Sequence, residues 1–358
     1  MSQKTILILL FKDLKHPFAG GSIINAFKQA DYWIKEGYKI IFLTPKFKGA
    51  KNTEIINNCE VYRYGGKYTS YLLFPLAYLF RFRNKVDYII DTENGIPYFT
   101  PLYSRKKKIL NVMHIHKDVF FIELPKYIAW IPYLLEVYLM PLIYRNTPVV
   151  TISKATKQEL CKIGFKEKNI SISYCGIDHE KVTQHKKFKE PTLLYMARVE
   201  KYKRITKLID LFEKLNYPNS QLIIAGGGRD LSTVKERAAK SPLKDRIQVL
   251  GKVSEEEKFK LFSKSWLYVT TSMAEGWGLT VIEANASGTP ALAFNVPGLN
   301  ESIQNGVNGF VVNTDEEFIE KMQQFLSKEI ILKGMVKHSK QFTWENTAKS
   351  TLQSLLNN

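Results

Sequence analysis

Two glutamates eight residues apart, Glu275 and Glu283, stand in the stretch SMAEGWGLTVIEANASGTP (272–290). Glu275 falls in the loop after an apolar run, and Glu283 in the first turns of the helix expected beyond it. Both carboxylates are therefore expected near one helix N-terminus. Gly276 and Gly278 keep the amides of that turn open, and free N–H groups at a helix start bind anions. Carboxylates beside such amides accept hydrogen bonds from sugar hydroxyls. The plainer reading is a glycine-rich turn with two solvated glutamates.

Arg198 and Lys203 lie five apart in ARVEKYKRI (197–205), in a loop entering a helix. A guanidinium fork with an ammonium point charge suits a diphosphate. An isolated pair of this kind is more often a solvated basic turn. Gly20-Gly21 precede the first helix and allow a ligand to approach the backbone and the helix dipole. They do not complete a GxGxxG pattern, so the dinucleotide fingerprint is absent. His114 and His116 alternate in NVMHIHKDVF (111–120), at an expected strand end, and share a face there. No further Cys/His cluster accompanies them, and no metal is expected.

The elements that carry these residues alternate between strand and helix. In the first half, strands are predicted at 4–10, 38–45, 86–91, 107–115 and 148–153, with a helix from Ser22 to the stop at Gly37. In the second half, strands are predicted at 192–197, 221–226, 246–251, 266–272 and 290–295. Helices are expected at 204–215, 254–265 (opened by a Ser254-to-Glu257 capping box), 280–287 and 344–356. This is an α/β pattern of two Rossmann-like parallel-sheet domains, with a ligand cleft expected between them. The lysine-rich stretch 178–190 reads as the linker. The expected domains are 1–180, 181–340, and a C-terminal helix in 341–358 returning to the first.

Composition narrows the function classes. The 358 residues hold 52 Lys and Arg against 34 Asp and Glu, a net charge of +18. Such a surface favours anionic partners: nucleic acid, phosphorylated small molecules or an anionic membrane. The three cysteines are too few for a disulfide framework, and no CxxC supports zinc, which fits a reducing, cytoplasmic setting. No secretory leader is read at the start. The basic residues are dispersed and no nucleic-acid module is seen, which argues against nucleic acid.

The ordered motifs ARVEKYK, LIIAGGG (222–228), LGKVSEEE (250–257), EGWGLTVIEANASGTP (275–290), PGLNESI (297–303) and NGVNGFVV (305–312) resemble the retaining family-4 glycosyltransferases of the GT-B fold. The first half matches more loosely, through Gly20-Gly21, TENGIPYFTPLY (92–103), MHIH, and TISKATKQEL (151–160) followed by CGID (175–178). The resemblance implies a nucleotide diphosphate sugar as donor, a UDP-sugar first and GDP-mannose second. It implies that Arg198 and Lys203 neutralise the diphosphate and that Glu283 binds the ribose. Residues around Val253 receive the base. Glu275, with the loop Gly276, Gly278, Leu279 and Thr280, holds the transferred sugar. Gly21, with Gly20 beside it, approaches the phosphates or the acceptor, and His116, or else His114, stabilises the reacting centre. No cofactor or obligatory metal is implied. Two departures stand out: Arg204 follows Lys203 where the family often has glycine, and CGID replaces an NGVD-like turn.

The acceptor is expected to be a saccharide or a lipid-linked saccharide of cell-surface polymer synthesis. Segments 68–85 and 120–145 mix aromatics with Arg and Lys. They read either as core helices of the first domain or as a face for the inner leaflet of the plasma membrane. Pro132, Glu136 and Pro141 argue against a spanning helix in 127–144. The competing readings are a nucleotide-sugar epimerase of the same architecture, a basic nucleic-acid binder, and a sugar-binding relative without activity.

Overall fold

The computed structural model describes residues 3–215 and 217–357. The chain divides into two compact units: Ile177–Thr343 forms one, and the residues up to Gly176 with those from Trp344 form the other. The divisions fall a few residues from the expected 180 and 340. Ile177 bridges to Thr343, and the His179 ring lies 3.1 Å from the Phe342 carbonyl, so both crossing strands of chain meet there.

The first unit holds an eight-stranded sheet. Its strands are β1 (Thr5–Leu9), β2 (Lys39–Thr44), β3 (Thr53–Ile56), β4 (Cys59–Arg63), β5 (Tyr88–Glu93), β6 (Lys107–Val112), β7 (Val149–Thr151) and β8 (Ile170–Ile172), in the order β3-β4-β2-β1-β5-β6-β7-β8. All neighbours are parallel except the β3–β4 hairpin. β1 is buried along its whole length, as a parallel strand covered on both faces must be. The hairpin and β8 were not read from the sequence. The hairpin turn is Asn57-Asn58, both with positive φ (49° and 59°), the conformation that two-residue hairpins require. β6 ends at Val112, short of the expected 115, which leaves His114 and His116 in the following loop.

The helix Gly21–Lys35 places Ile23, Ala26, Phe27, Ala30 and Trp33 on its buried face. The helix Trp344–Leu356 packs against it, where Trp33 Nε1 donates to the Ala348 carbonyl at 3.0 Å. The loop leading to Gly20 is anchored by Asp13. Its carboxylate accepts the buried Arg63 Nε at 2.7 Å, the Thr44 hydroxyl at 3.2 Å and the Lys15 amide at 2.9 Å.

The second unit holds six parallel strands: β9 (Thr192–Met196), β10 (Gln221–Ala225), β11 (Ile247–Gly251), β12 (Leu267–Thr270), β13 (Ala291–Phe294) and β14 (Gly309–Val312). Their order is β11-β10-β9-β12-β13-β14. β14 and the helices Leu231–Ala239 and Asp315–Leu326 add to the elements read from the sequence. Its core is built on Leu193, Tyr195, Leu208, Phe212, Leu222, Val269 and Phe318.

The two apolar segments of the first unit are partly core and partly surface. Ser70–Ala77, continued by a π turn Tyr78–Phe82, buries Phe74, Tyr78 and Phe82 but leaves Leu72 and Phe80 largely exposed. Lys126–Leu134, the π turn Leu135–Leu139 and Met140–Ile143 bury Ala129, Glu136 and Met140. They expose Tyr127, Trp130, Ile131, Tyr138 and Leu142. Among the described residues, no helix is long and apolar enough to cross a membrane.

Candidate active site

In an open parallel sheet, ligands bind beyond the carboxyl ends of the strands, where the strand order reverses. In the second unit that reversal lies between β9 and β12. The loop after β9 carries Arg198 and Lys203, and the loop after β12 carries Glu275.

The two loops are laced together. The Thr271 hydroxyl donates to the carbonyls of Lys203 (3.0 Å) and Arg204 (2.9 Å), the Met273 amide donates to the Tyr202 carbonyl at 2.9 Å, and Arg204 Nε donates to the Thr271 carbonyl at 2.8 Å. Glycines permit the approach. A Cβ at Gly228 would stand 2.0 Å from the Val199 carbonyl oxygen, and one at Gly298 would stand 2.2 Å from that of Glu275. The LIIAGGG and PGLNESI motifs therefore serve to seat these loops.

Lys203 is 5% exposed and its ammonium is ion-paired with Glu275. Its neighbour Arg204 stands at φ +50°, a left-handed conformation that suits glycine and is strained for arginine. The chain here takes a backbone shape that glycine favours and adds a side chain, which also lies over the Phe294 ring. Arg198 is exposed, with Nη2 3.4 Å from the Tyr202 hydroxyl.

The helix Leu279–Ala286 starts at Gly278, whose φ of +88° turns the loop into the helix. Thr280 Oγ1 lies 2.7 Å from the Tyr268 hydroxyl. Glu283 is buried on this helix, and burial pushes its carboxyl above the usual range. It accepts a 2.7 Å bond from Lys258 Nζ, which also holds Glu255 at 2.9 Å. Burial works to lower the Lys258 ammonium, but Glu283 and Glu255 outweigh it and raise it. Lys258 was not singled out in the sequence, although its helix start was: Ser254 Oγ accepts the Glu257 amide at 3.1 Å. Val253 is half-buried in the loop between β11 and that helix. The second unit thus brings Lys203 to Glu275, and puts Glu283 beside Lys258.

In the first unit, strand order reverses between β1 and β5. The loop after β1 leads to Gly20, which caps the helix starting at Gly21 in extended conformation. Glu93 is the last residue of β5, fully buried. His114 and His116 lie in the loop after β6, with ring centroids 5.1 Å apart, so the expected strand alternation does not set their placement. His116 Nδ1 lies 3.1 Å from Glu136 Oε1 and 3.9 Å from Glu93 Oε1. These three residues are the one group of potential metal ligands brought together among the described residues, and the sequence did not point to either glutamate. The signal for Glu136 was a lone carboxylate inside an otherwise uncharged run.

Residues 19–181 match the family model described as Glycosyltransferase Family 4, and residues 177–342 match Glycosyl transferases group 1. The chain belongs to the group 1, family 4 glycosyltransferases. Two uncharacterised glycosyltransferases of Methanocaldococcus jannaschii are each 27% identical, one over 87% of this chain and 86% of its own length, the other over 58% and 60%. The O-antigen chain mannosyltransferase RfbU of Salmonella typhimurium is 27% identical over 83% of this chain and 78% of its own. Among solved structures, sucrose-phosphate synthase from Thermosynechococcus elongatus superposes with a TM-score of 0.80 at 18% identity, covering 98% of each chain. HepE of Anabaena, solved with UDP and glucose, gives 0.78 at 15% identity over 99% of this chain and 100% of its own. The family-4 glycosyltransferase is thus an enzyme with two parallel α/β units of the GT-B type.

Proposed function

We propose that this glycosyltransferase moves a hexose-type sugar, with retention, from a nucleotide diphosphate sugar to a hydroxyl of a saccharide or lipid-linked saccharide. The observation that carries the donor reading is Lys203. It is a buried ammonium at the sheet's switch point, beside Glu275 and the amides that follow it. As the bond from sugar to diphosphate breaks, negative charge grows on the leaving group. Lys203, Arg198 and the start of the helix Leu279–Ala286 stabilise it there. Glu283, steadied by Lys258, takes the ribose hydroxyls, and Val253 lies by the base. In the first unit, His116 and Gly21 are the residues we assign to the sugar and the acceptor. A uridine donor comes first, in keeping with the UDP bound to HepE, and the likeness to a mannosyltransferase keeps a GDP-mannose donor second.

The acceptor reading rests on the exposed aromatics of the first unit. Phe80, Tyr127, Trp130 and Tyr138 face outward, with exposed Arg81, Arg83, Lys126 and Arg145 near them in the chain. Rings flanked by cations suit an anionic lipid surface, and the net charge of +18 adds to the attraction. The enzyme would then work peripherally on the inner face of the plasma membrane.

Thermal-shift titration with UDP, GDP and ADP, followed by a panel of donor sugars, tests the donor. Stabilisation by none of the three would remove the reading. Transfer is expected to persist in EDTA, because side-chain cations serve the diphosphate. Co-sedimentation with anionic vesicles at low and high salt tests the lipid surface, and absence of binding at low salt would favour a soluble acceptor.

A further inference from the structure

Glu136 is fully buried on the π turn Leu135–Leu139. Its carboxylate accepts two successive backbone amides, His116 N–H at Oε1 and Lys117 N–H at Oε2, each at 2.8 Å. Consecutive amides converge on one anion where the chain turns through an unusual conformation. Lys117 supplies it, with a φ of +38°. The carboxylate that clamps this backbone also reaches the ring, since His116 Nδ1 lies 3.1 Å from Oε1. Phe120 stacks on the imidazole, with centroids 5.1 Å apart and planes 16° apart, and fixes its tilt.

Glu93 completes the surroundings. Its Oε1 takes the Gly95 amide, and its buried Oε2 has no hydrogen-bond partner among the described residues. Burial first, then the charge of Glu136, push the Glu93 carboxyl well above the usual range. Of the two carboxylates, Glu136 is thus the one satisfied by backbone amides, and Glu93 the one pushed toward its protonated form.

We propose that Glu136 is a positioning residue that holds the His116 ring with Nδ1–H toward Oε1, so that Nε2 meets its ligand as a hydrogen-bond acceptor. The group opposite Nε2 is then a donor, the hydroxyl of a sugar or of the acceptor, and not a phosphate oxygen. This rests on the reading of His116 as a residue of the sugar site.

The test is nitrogen-15 NMR of histidine-labelled protein at pH 8, with the His116 signal assigned by its loss in His116→Gln. The expected spectrum shows Nδ1 protonated and Nε2 bare. In Glu136→Gln one carboxylate oxygen becomes an NH2 donor and the negative charge is lost, so the hold on Nδ1–H weakens and the signal moves toward the Nε2–H form. Transfer by Glu136→Gln should fall about 10- to 100-fold in kcat, with donor KM within twofold. The same substitution in a His116→Ala background should cost less than a further twofold.

An Nε2–H ring in the wild type overturns the proposal, and so does a Glu136→Gln penalty of equal size with and without His116. A His116 signal that changes on adding EDTA, or with one equivalent of Mn²⁺, also overturns it by making the trio a metal site. Because Glu136 holds two backbone amides, the wild-type spectrum decides even if the variant does not fold. Unchanged turnover in His116→Ala would instead sink the sugar-site reading, while the spectrum still reports the tautomer.

Discussion

The second unit and the first unit each set a pair of glutamates near a sheet switch point, and they settle the charge in opposite ways. Glu275 and Glu283 are each matched with a lysine, Lys203 and Lys258. Glu93 and Glu136 have no lysine or arginine ion-paired to them among the described residues. One leans on two backbone amides and the other is pushed toward the neutral form. A carboxylate neutralised by lysine adds to an electrostatic balance that a diphosphate can enter. One held by amides beside an imidazole governs where a proton sits. On the proposed function, the heavy charge handling falls to the second unit and the finer hydrogen-bond polarity to the first.

The most severe break in this contrast is loss of the lysine at the second unit's switch point. Lys203→Met should lower transfer by about 100- to 1,000-fold, as removal of one preorganised transition-state donor does. Arg198→Ala, at an exposed side chain, should cost less than Lys203→Met while still slowing transfer. Circular dichroism should show both variants folded, and normal turnover in both would remove the diphosphate assignment.

Next comes the Lys258–Glu283 pair. Lys258→Met strands a buried carboxylate and should destabilise the enzyme by about 3 kcal/mol, read by denaturant unfolding. Lys258→Met with Glu283→Gln should recover part of that loss, because the stranded charge is gone. If the double variant is no more stable than the single one, the pair is not what holds these side chains.

These pairs show what could be read in advance. The Glu275 and Glu283 spacing and the Arg198 and Lys203 loop were legible because each sits inside a local motif, on a strand-to-helix turn whose hydrophobic period is plain. Lys258 was not, although the capping box opening its helix was. Its partnership depends on two helices packing side by side, and a single sequence window does not contain that. Glu136 looked like a breaker in an apolar run. Only the folded chain brings it to His116, twenty residues earlier. The Asn57-Asn58 hairpin carried a usable turn signal that went unread, whereas the short β8 offers only three residues of pattern.

A smaller effect sharpens the first unit's side of the contrast. Between the ordinary carboxyl range and the raised value in the fold, native Glu93 keeps a proton that the unfolded chain has released. Wild-type stability therefore falls as pH rises through that window. Glu93→Gln keeps the acceptor for Gly95 and does not titrate. Its melting temperature relative to wild type should be higher at pH 8 than at pH 5, and an unchanged difference would place the charge elsewhere.

The smallest expected effect concerns Arg204. Both Arg204→Ala and Arg204→Gly lose the bond to the Thr271 carbonyl, but only glycine is relaxed at φ +50°. The glycine variant should be more stable than the alanine variant by about 1 kcal/mol, the reverse of their usual order. Equal stabilities would mean that the bend costs nothing.

That bend has a practical side. Attempts to raise the heat tolerance of this enzyme by replacing flexible residues with stiffer ones would go astray at position 204. The backbone there has already made its choice, and the arginine is a guest in a seat cut for something smaller. A side chain put there is worth keeping only for what its far end grips. Substitutions at this corner should be scored by the carbonyl and ring they reach, with helix-forming tendency set aside.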